Sequence, residues 1–392
     1  MSVFEQLRPF VGLCQACGMI PYTIENNLIT NKFSRFTFSL KHRTTWWFTC
    51  NLAFQFVSIC LASYFSENGP DNLSTDRSLP ITVNVLFAVN SSGTFIQLLL
   101  SRWIVMRYRR LRVVVEAVQE VERLLGEKFL AQHKSSLTTR FFIGFIIILT
   151  VTTGSTIVVM PLVPSVLPEN PSAVLVAVIL FLMALMAILI ECTPFFIHLC
   201  YYIISHYMKM ILLHSETDRA DAEDQLHLIG MENLKILRRN ALIFDHLCHA
   251  SSELNHIFSV PVFILLTMKF VSVISTAFFS IYYFVHRTDV LENYSLMFPF
   301  LFFTEGAKIL VLLSAADMPV NQVRLLRERL TRMSHSRFYR RLAEKIAVMT
   351  VLMQIDKGRV RLSAAGLFDV GVHLIPALTG AVVTYMVILL QN

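Results

Sequence analysis

The sequence has 392 residues and a formal net charge of +7, with 55% hydrophobic and 16% charged residues. Ordinary globular domains hold about 45–50% apolar and about 25% charged residues. That difference excludes a disordered chain, a basic nucleic-acid-binding domain and a typical soluble enzyme, and it indicates a polytopic membrane protein. Seven cysteines in a chain of this length do not make a disulfide framework. Cys14 and Cys17 form a lone CxxC with no second pair nearby, so no metal site is expected.

The first 44 residues lack the apolar core of roughly 7–15 residues and small-residue site of a secretory signal, so the first span is expected to direct its own insertion. Residues Pro9 to Tyr22 are mildly apolar and read as an interfacial or re-entrant helix. A spanning helix needs about 20 mostly apolar residues. Seven stretches qualify: Thr45–Phe65, Ile81–Leu100, Phe141–Val163, Val174–Ile204, Ile257–Val285, Leu296–Ser314 and Val372–Leu390. The fourth and fifth exceed the bilayer and are expected to tilt or to project from it.

Lysine and arginine are distributed unequally between the connecting segments. The segment before span 1 and the loops after spans 2, 4 and 6 hold 30 of the 34, whereas the opposite side holds Arg77 and Arg287. The positive-inside rule then places the N-terminus in the cytoplasm and, after seven spans, the C-terminus outside. Seven helices invite comparison with G-protein-coupled receptors, but those place the N-terminus outside. The sequons at Asn72 and Asn293 fall in predicted outer loops and are candidate glycosylation sites. In the basic loops, Leu326, Leu330 and Met333, then Leu342, Ile346, Met349 and Leu352, recur at helical spacing, as do Leu234, Leu237 and Ile243 before span 5. These read as amphipathic helices that continue the spans below the membrane and offer an assembly surface.

Ionisable residues inside spans are costly and mark structure or function. Lys269 lies near the middle of span 5 and Glu305 near the middle of span 6, with Lys308 one turn below Glu305. Pairing of Glu305 with Lys269 or Lys308 would offset the burial cost, either as a packing pair or as the polar floor of a ligand pocket. Phe278, Phe279, Tyr282, Tyr283, Phe298, Phe300, Phe302 and Phe303 crowd the outer halves of these spans. Most fit a lipid-facing belt, and some, above all Phe278, Phe279, Tyr282 and Phe303, are candidates to line a pocket for a small amphipathic molecule. His198 sits two turns from Glu191, and His373 one turn from Asp369, which reads as local hydrogen bonding at the membrane edge. The sequence carries no nucleophile elbow, HExxH or phosphate-binding glycine loop, so nothing in it supports an enzyme.

The sequence ends with Gly366-Leu367-Phe368-Asp369, then Gly380-Ala381-Val382-Val383, Thr384-Tyr385, five apolar residues, Gln391 and Asn392. Thr384, Tyr385 and Gln391 resemble the TYhhhhhQF signature of the insect gustatory receptor family, part of the insect seven-helix chemoreceptor superfamily. Seven spans, inverted topology, chain length and the long basic loop before the last span agree with that resemblance. It implies an all-α polytopic membrane protein. Residues 1–44 would be a cytoplasmic segment. Residues 45–316 would hold helices 1–6 with the ligand pocket, residues 317–371 a cytoplasmic anchor, and residues 372–392 the pore-lining helix.

The implied function is that of a taste receptor subunit, a ligand-gated non-selective cation channel in the plasma membrane of gustatory receptor neurons. Its partners would be a small-molecule tastant, the lipid bilayer and other gustatory subunits in a homo- or heterotetramer, with no nucleic acid and no cofactor. Val387, Ile388, Gln391 and Asn392 would line the pore. Ile388 and Gln391 lie three apart on one helix face, so four copies would stack an apolar ring beneath an amide ring. Two departures bear on detail. The motif's final Phe position holds Asn392, and Met386 occupies the position after Thr-Tyr where sugar-sensing members resemble one another in having Glu. The second argues for bitter or other aversive compounds. The rival classes are a G-protein-coupled receptor, opposed by the topology, and a membrane enzyme or transporter, for which no catalytic or repeat signal exists.

The charge asymmetry makes a direct prediction. An N-terminal epitope tag should be undetectable on intact cells and a C-terminal tag should be detected from outside. Surface staining of the N-terminal tag alone would restore the G-protein-coupled reading.

Overall fold

A computed structural model describes residues 21–26, 33–37, 41–50, 107–126, 193–211, 229–285, 297–335, 342–355 and 360–391, together with isolated positions elsewhere. Most of the first four predicted spans, the sequons at Asn72 and Asn293, Glu191 and Asn392 lie outside the described residues. The principal helices are α1 (Tyr108–Leu125), α2 (Ile229–Val285), α3 (Met297–His335), α4 (Leu342–Gln354) and α5 (Ile375–Gln391), the last entered through a 3₁₀ turn at Val372–Leu374. Residues 193–211 are also helical, extending the inner end of the fourth predicted span.

The amphipathic helix α1 lies in the loop after span 2, where the sequence reading places only basic charge. Val114, Ala117, Val118, Val121 and Leu125 are buried, a spacing of three and four that forms one apolar stripe. The charges occupy its other face, with Arg112 bonded to Glu116 and Arg123 to Glu120. The helix stops at Gly126, whose φ of +84° is a left-handed value that glycine adopts without strain. The apolar stripe enters a core shared with Ile197, Tyr201, Ile204, Met208 and Ile211 and with Ile243, Leu247, Leu254 and Phe258 of α2. Arg110 pairs with Glu253 of α2 at 3.6 Å, and Arg107 donates to the carbonyl of His256 at 3.0 Å. Buried Tyr207 donates its hydroxyl to Glu122 of α1 at 2.5 Å. Burial, reinforced by the adjacent carboxylate, holds that phenol well above its ordinary pKa, so it remains a donor across the physiological range.

Helix α2 runs unbroken for 57 residues, so the predicted fifth span and its amphipathic run before it are one rod. Helix α3 is likewise continuous for 39 residues, across the boundary drawn at residue 317. Its water-side stripe is buried at Leu326 and Leu330 as the spacing predicts. Helix α4 divides its apolar residues between two sides. Ile346 and Met349 are exposed together with Met353, whereas Val348 is buried and Leu352 packs against the core. The expected stripe joined residues from two neighbouring faces, and the subunit interior takes the one carrying Val348.

The all-α expectation also needs amendment, because two short antiparallel pairs punctuate the helices. The first joins β1 (Thr23–Asn26) to β2 (Phe33–Thr37), with a register shift between Glu25 and Asn26. Beside it, Thr45 donates to the carbonyl of Pro21 at 2.9 Å. The second pairs β3 (Ser363–Ala364) with β4 (Phe368–Asp369) immediately before α5. Its turn uses Gly366 at φ +76°. The amide of Ser363 donates to Asn255 Oδ1 at 2.8 Å, the amide of Ala365 to the carbonyl of Ser259 at 3.0 Å, and Arg361 bonds Asp369 at 2.6 Å. The hairpin therefore fastens the entry of α5 to the middle of α2.

The Tyr207–Glu122 bond predicts that Tyr207→Phe destabilises the water-side core by about 1.5–3 kcal/mol, the range for hydrogen bonds to charged groups. A lowered thermal midpoint of the purified protein in detergent would show it, and an unchanged midpoint would mean the bond contributes nothing.

Candidate ligand pocket and pore helix

Helices α2, α3 and α5 are each long and apolar enough to cross a membrane, over Lys235–Tyr282, Phe298–Arg332 and Val372–Gln391. Within the first two, the expected charges meet. Lys269 Nζ of α2 lies 2.7 Å from Glu305 Oε2 of α3, and Lys308 Nζ lies 2.6 Å from Glu305 Oε1. The sequence leaves a choice between the two lysines, and the structure uses both. Lys269 is 5% exposed and Glu305 8% exposed. One carboxylate thus bridges two helices, with each oxygen facing its own ammonium. In a medium without water, that arrangement offsets a desolvation cost of several kcal/mol per ion and fixes the register of α2 against α3.

The aromatic candidates divide. Phe278 and Phe279 are buried, Tyr282 stacks on Phe278 at 5.8 Å between centroids, and Phe298 of α3 lies 5.1 Å from Phe279. Phe303 does not join them. It is 71% exposed and meets the ring of Phe302 at 5.4 Å, as a residue of the outer belt would. The residue that completes the cluster is Met386 of α5, 7% exposed, with Val382 and Leu389 packed alongside. Sequence reasoning treats Met386 only as a mark of ligand class. Its spacing from Val382 and Leu389, four and three residues, is the available signal that this face packs inward.

Met386 is the one buried side chain of α5. Each helical residue turns the face by about 100°, which puts Thr384 and Ile388 about 160° from Met386 and Gln391 about 140° from it. Val383, Tyr385, Val387, Ile388, Leu390 and Gln391 are exposed in the single subunit. Thr384 turns its hydroxyl onto the carbonyl of Gly380 at 2.9 Å, and Tyr385 meets Phe270 edge-on at 6.4 Å. The last helix therefore has one seam on its own subunit and a broad apolar surface facing away, with Ile388 and Gln391 on the far side. The suggested pairing of His373 with Asp369 does not form: Asp369 lies in β4 and His373 in the 3₁₀ turn after it, so they share no helix face, and Asp369 pairs with Arg361 instead. Among the described residues, no group of three or more histidine, cysteine or acidic side chains is arranged to hold a metal.

Three long apolar helices, two of them joined by a buried charge bridge, and a last helix scarcely buried by its own subunit are the features of a polytopic membrane protein. The sequence profile described as 7tm Chemosensory receptor matches residues 7–391, and the chain belongs to that insect receptor family. No curated protein matches it in sequence. Among solved structures, the chain is similar to the insect olfactory receptor OR5 from Machilis hrabei, with a TM-score of 0.68, 11% identity and 99% of each chain covered. It is also similar to the same receptor in complex with eugenol, with a TM-score of 0.61, 11% identity and 99% coverage of each chain. The likeness extends over the whole chain and is one of fold.

The charge bridge makes a testable claim. Glu305→Gln should leave buried lysine charge uncompensated and cost about 3–5 kcal/mol, seen as reduced surface delivery. Lys269→Met combined with Glu305→Leu should cost less than Lys269→Met and Glu305→Leu added separately, with Lys308 left as the one uncompensated charge. A double variant as poor as the two singles added together would mean that no coupling links these residues.

Proposed function

We propose that this chain is a gustatory receptor subunit, a ligand-gated non-selective cation channel whose pore is lined by α5 at the axis of a homo- or heterotetramer. The observation that carries the reading is the burial of α5. One face holds Met386, Val382 and Leu389 against α2 and α3, and the opposite face carries Ile388 and Gln391. Four such faces around an axis would place an apolar ring beside an amide ring. The first resists wetting when closed and the second coordinates partly hydrated cations. Val387 and Asn392 would flank them. The exposed Ile346, Met349 and Met353 of α4 supply an apolar surface on the water side for subunit contact.

The ligand is a small amphipathic molecule held near the aromatic cluster of Phe278, Phe279 and Tyr282, above the bridge of Lys269, Glu305 and Lys308. Binding of eugenol by the structurally similar receptor supports a small-molecule pocket in this fold. Met386 between phenylalanines supports bitter or other aversive compounds over sugars, which need hydrogen-bonding partners. The C-terminus then faces outward, Asn72 and Asn293 carry glycans, and the receptor resides in the plasma membrane of gustatory receptor neurons.

Reversal potentials under mixed ionic conditions, in assemblies known to contain this subunit, test the pore. Ile388→Ser should raise ligand-independent current several-fold. Gln391→Glu should shift permeability toward divalent cations, and Gln391→Lys should suppress cation current, because four like charges would face each ion at close range. Well-expressed charge variants at Gln391 with unchanged permeability ratios would remove this face from the pore.

A further inference from the structure

We propose that Asp317 is the positioning residue that ties the foot of α5 to α3, so that displacement of α3 reaches the pore helix directly; this rests on the channel reading above. The first amides of a helix have no partner within it and are usually satisfied by a side chain just upstream. Here the residue upstream is Gly371, which has no side chain to offer. Instead, the amide of Val372 donates to Asp317 Oδ2 at 2.7 Å, across 55 positions of sequence. The carboxylate also sits where the helix dipole favours negative charge.

Gly371 is required for space. Its φ of 176° is extended backbone that any residue adopts, but a Cβ there would lie 2.5 Å from Asp317 Oδ1 and 2.8 Å from His373 Nδ1. The sequence has thus removed both the local cap and the obstacle to a distant one. Two residues beyond Asp317, Pro319 lacks an amide hydrogen and leaves the carbonyl of Ala315 without its usual helical donor. Helix α3 is therefore weakened at the turn that carries the cap. Upstream on the same helix, Glu305 and Lys308 belong to the charge bridge. One helix so holds the bridge at membrane depth and, further along, a weakened turn that itself carries the tie to the last helix.

Hydrogen–deuterium exchange of the full-length protein in nanodiscs, read at Val372, tests the tie without any ligand. Asp317→Ala should speed exchange there by about 10- to 100-fold, the loss expected for one charge-assisted hydrogen bond. Asp317→Asn, which keeps an acceptor oxygen, should fall between. Gly371→Ala should displace the carboxylate and match Asp317→Ala, and the double variant should be no worse than either single. Unchanged exchange in Asp317→Ala overturns the proposal. Ligand-independent current then tests the coupling. Asp317→Ala should alter open probability at unchanged permeability ratios, with Asp317→Asn restoring part of it. Fast exchange with unaltered gating would reduce Asp317 to a structural cap and overturn its positioning role. A complete lack of current in both the wild-type and Ile388→Ser assemblies would contradict the channel reading instead, leaving the exchange result to decide the tie.

Discussion

Helix α2 is the member on which the rest of the subunit depends. Its water-side half carries Ile243, Leu247, Leu254 and Phe258 into the core with α1 and residues 193–211. Its middle accepts the hairpin that leads into α5, through Asn255 and Ser259. Its membrane half presents Lys269 to Glu305 and the Phe278–Phe279 pair to Met386. A spanning segment must satisfy its own backbone within the bilayer, and a continuous helix does so while running on past the span, except at the turn where Pro261 offers no amide hydrogen. One rod therefore fixes the water-side core, the charge bridge and the aromatic cluster at set distances from one another.

Packing is uneven about that rod. The water-side core is dense and drawn from several elements, as burial of apolar area in water favours. At membrane depth the hydrophobic drive between helices is absent, and specific contacts take its place. The Lys269–Glu305–Lys308 bridge and the rings around Met386 are those contacts. Helix α5 is held by its entry hairpin, by the Asp317 bond at its foot and by the seam through Leu378, Val382 and Met386, and most of its outer half is exposed. Movement of such an element would leave the subunit core intact, as the proposed pore role requires.

Much of this was legible from residue type and spacing. Lys269 and Glu305 stood out because lipid penalises charge, and that same penalty brings them to 2.7 Å. The continuous helices at Leu237–Ile243 and Leu326–Leu330 followed from period and charge. Helix α1 carries the same period at Val114, Val118, Val121 and Leu125, but Arg109, Arg110, Arg112 and Arg123 break up its apolar character, so the stripe is faint in the sequence. On α4 the apolar residues divide between an exposed side with Ile346 and Met349 and a packed side with Leu352, because apolar residues surround that helix and periodicity selects a single face only where polar residues mark the other. Phe303 was indistinguishable by type from Phe279, since aromatic rings suit both a belt and a core. The hairpin at residues 363–369 and the cap from Asp317 depend on contacts across more than fifty positions, which local pattern does not encode.

Helix α5, poorly buried by its own subunit, is proposed to complete its packing at an axis shared with other subunits. Electron cryomicroscopy of the purified assembly in lipid nanodiscs would show this. Four subunits are expected, with their last helices converging on a central axis, Met386 turned toward its own α2 and Ile388 and Gln391 turned toward the axis. A monomer, or an assembly in which α5 lies at the lipid-facing rim with Ile388 toward the acyl chains, would contradict it.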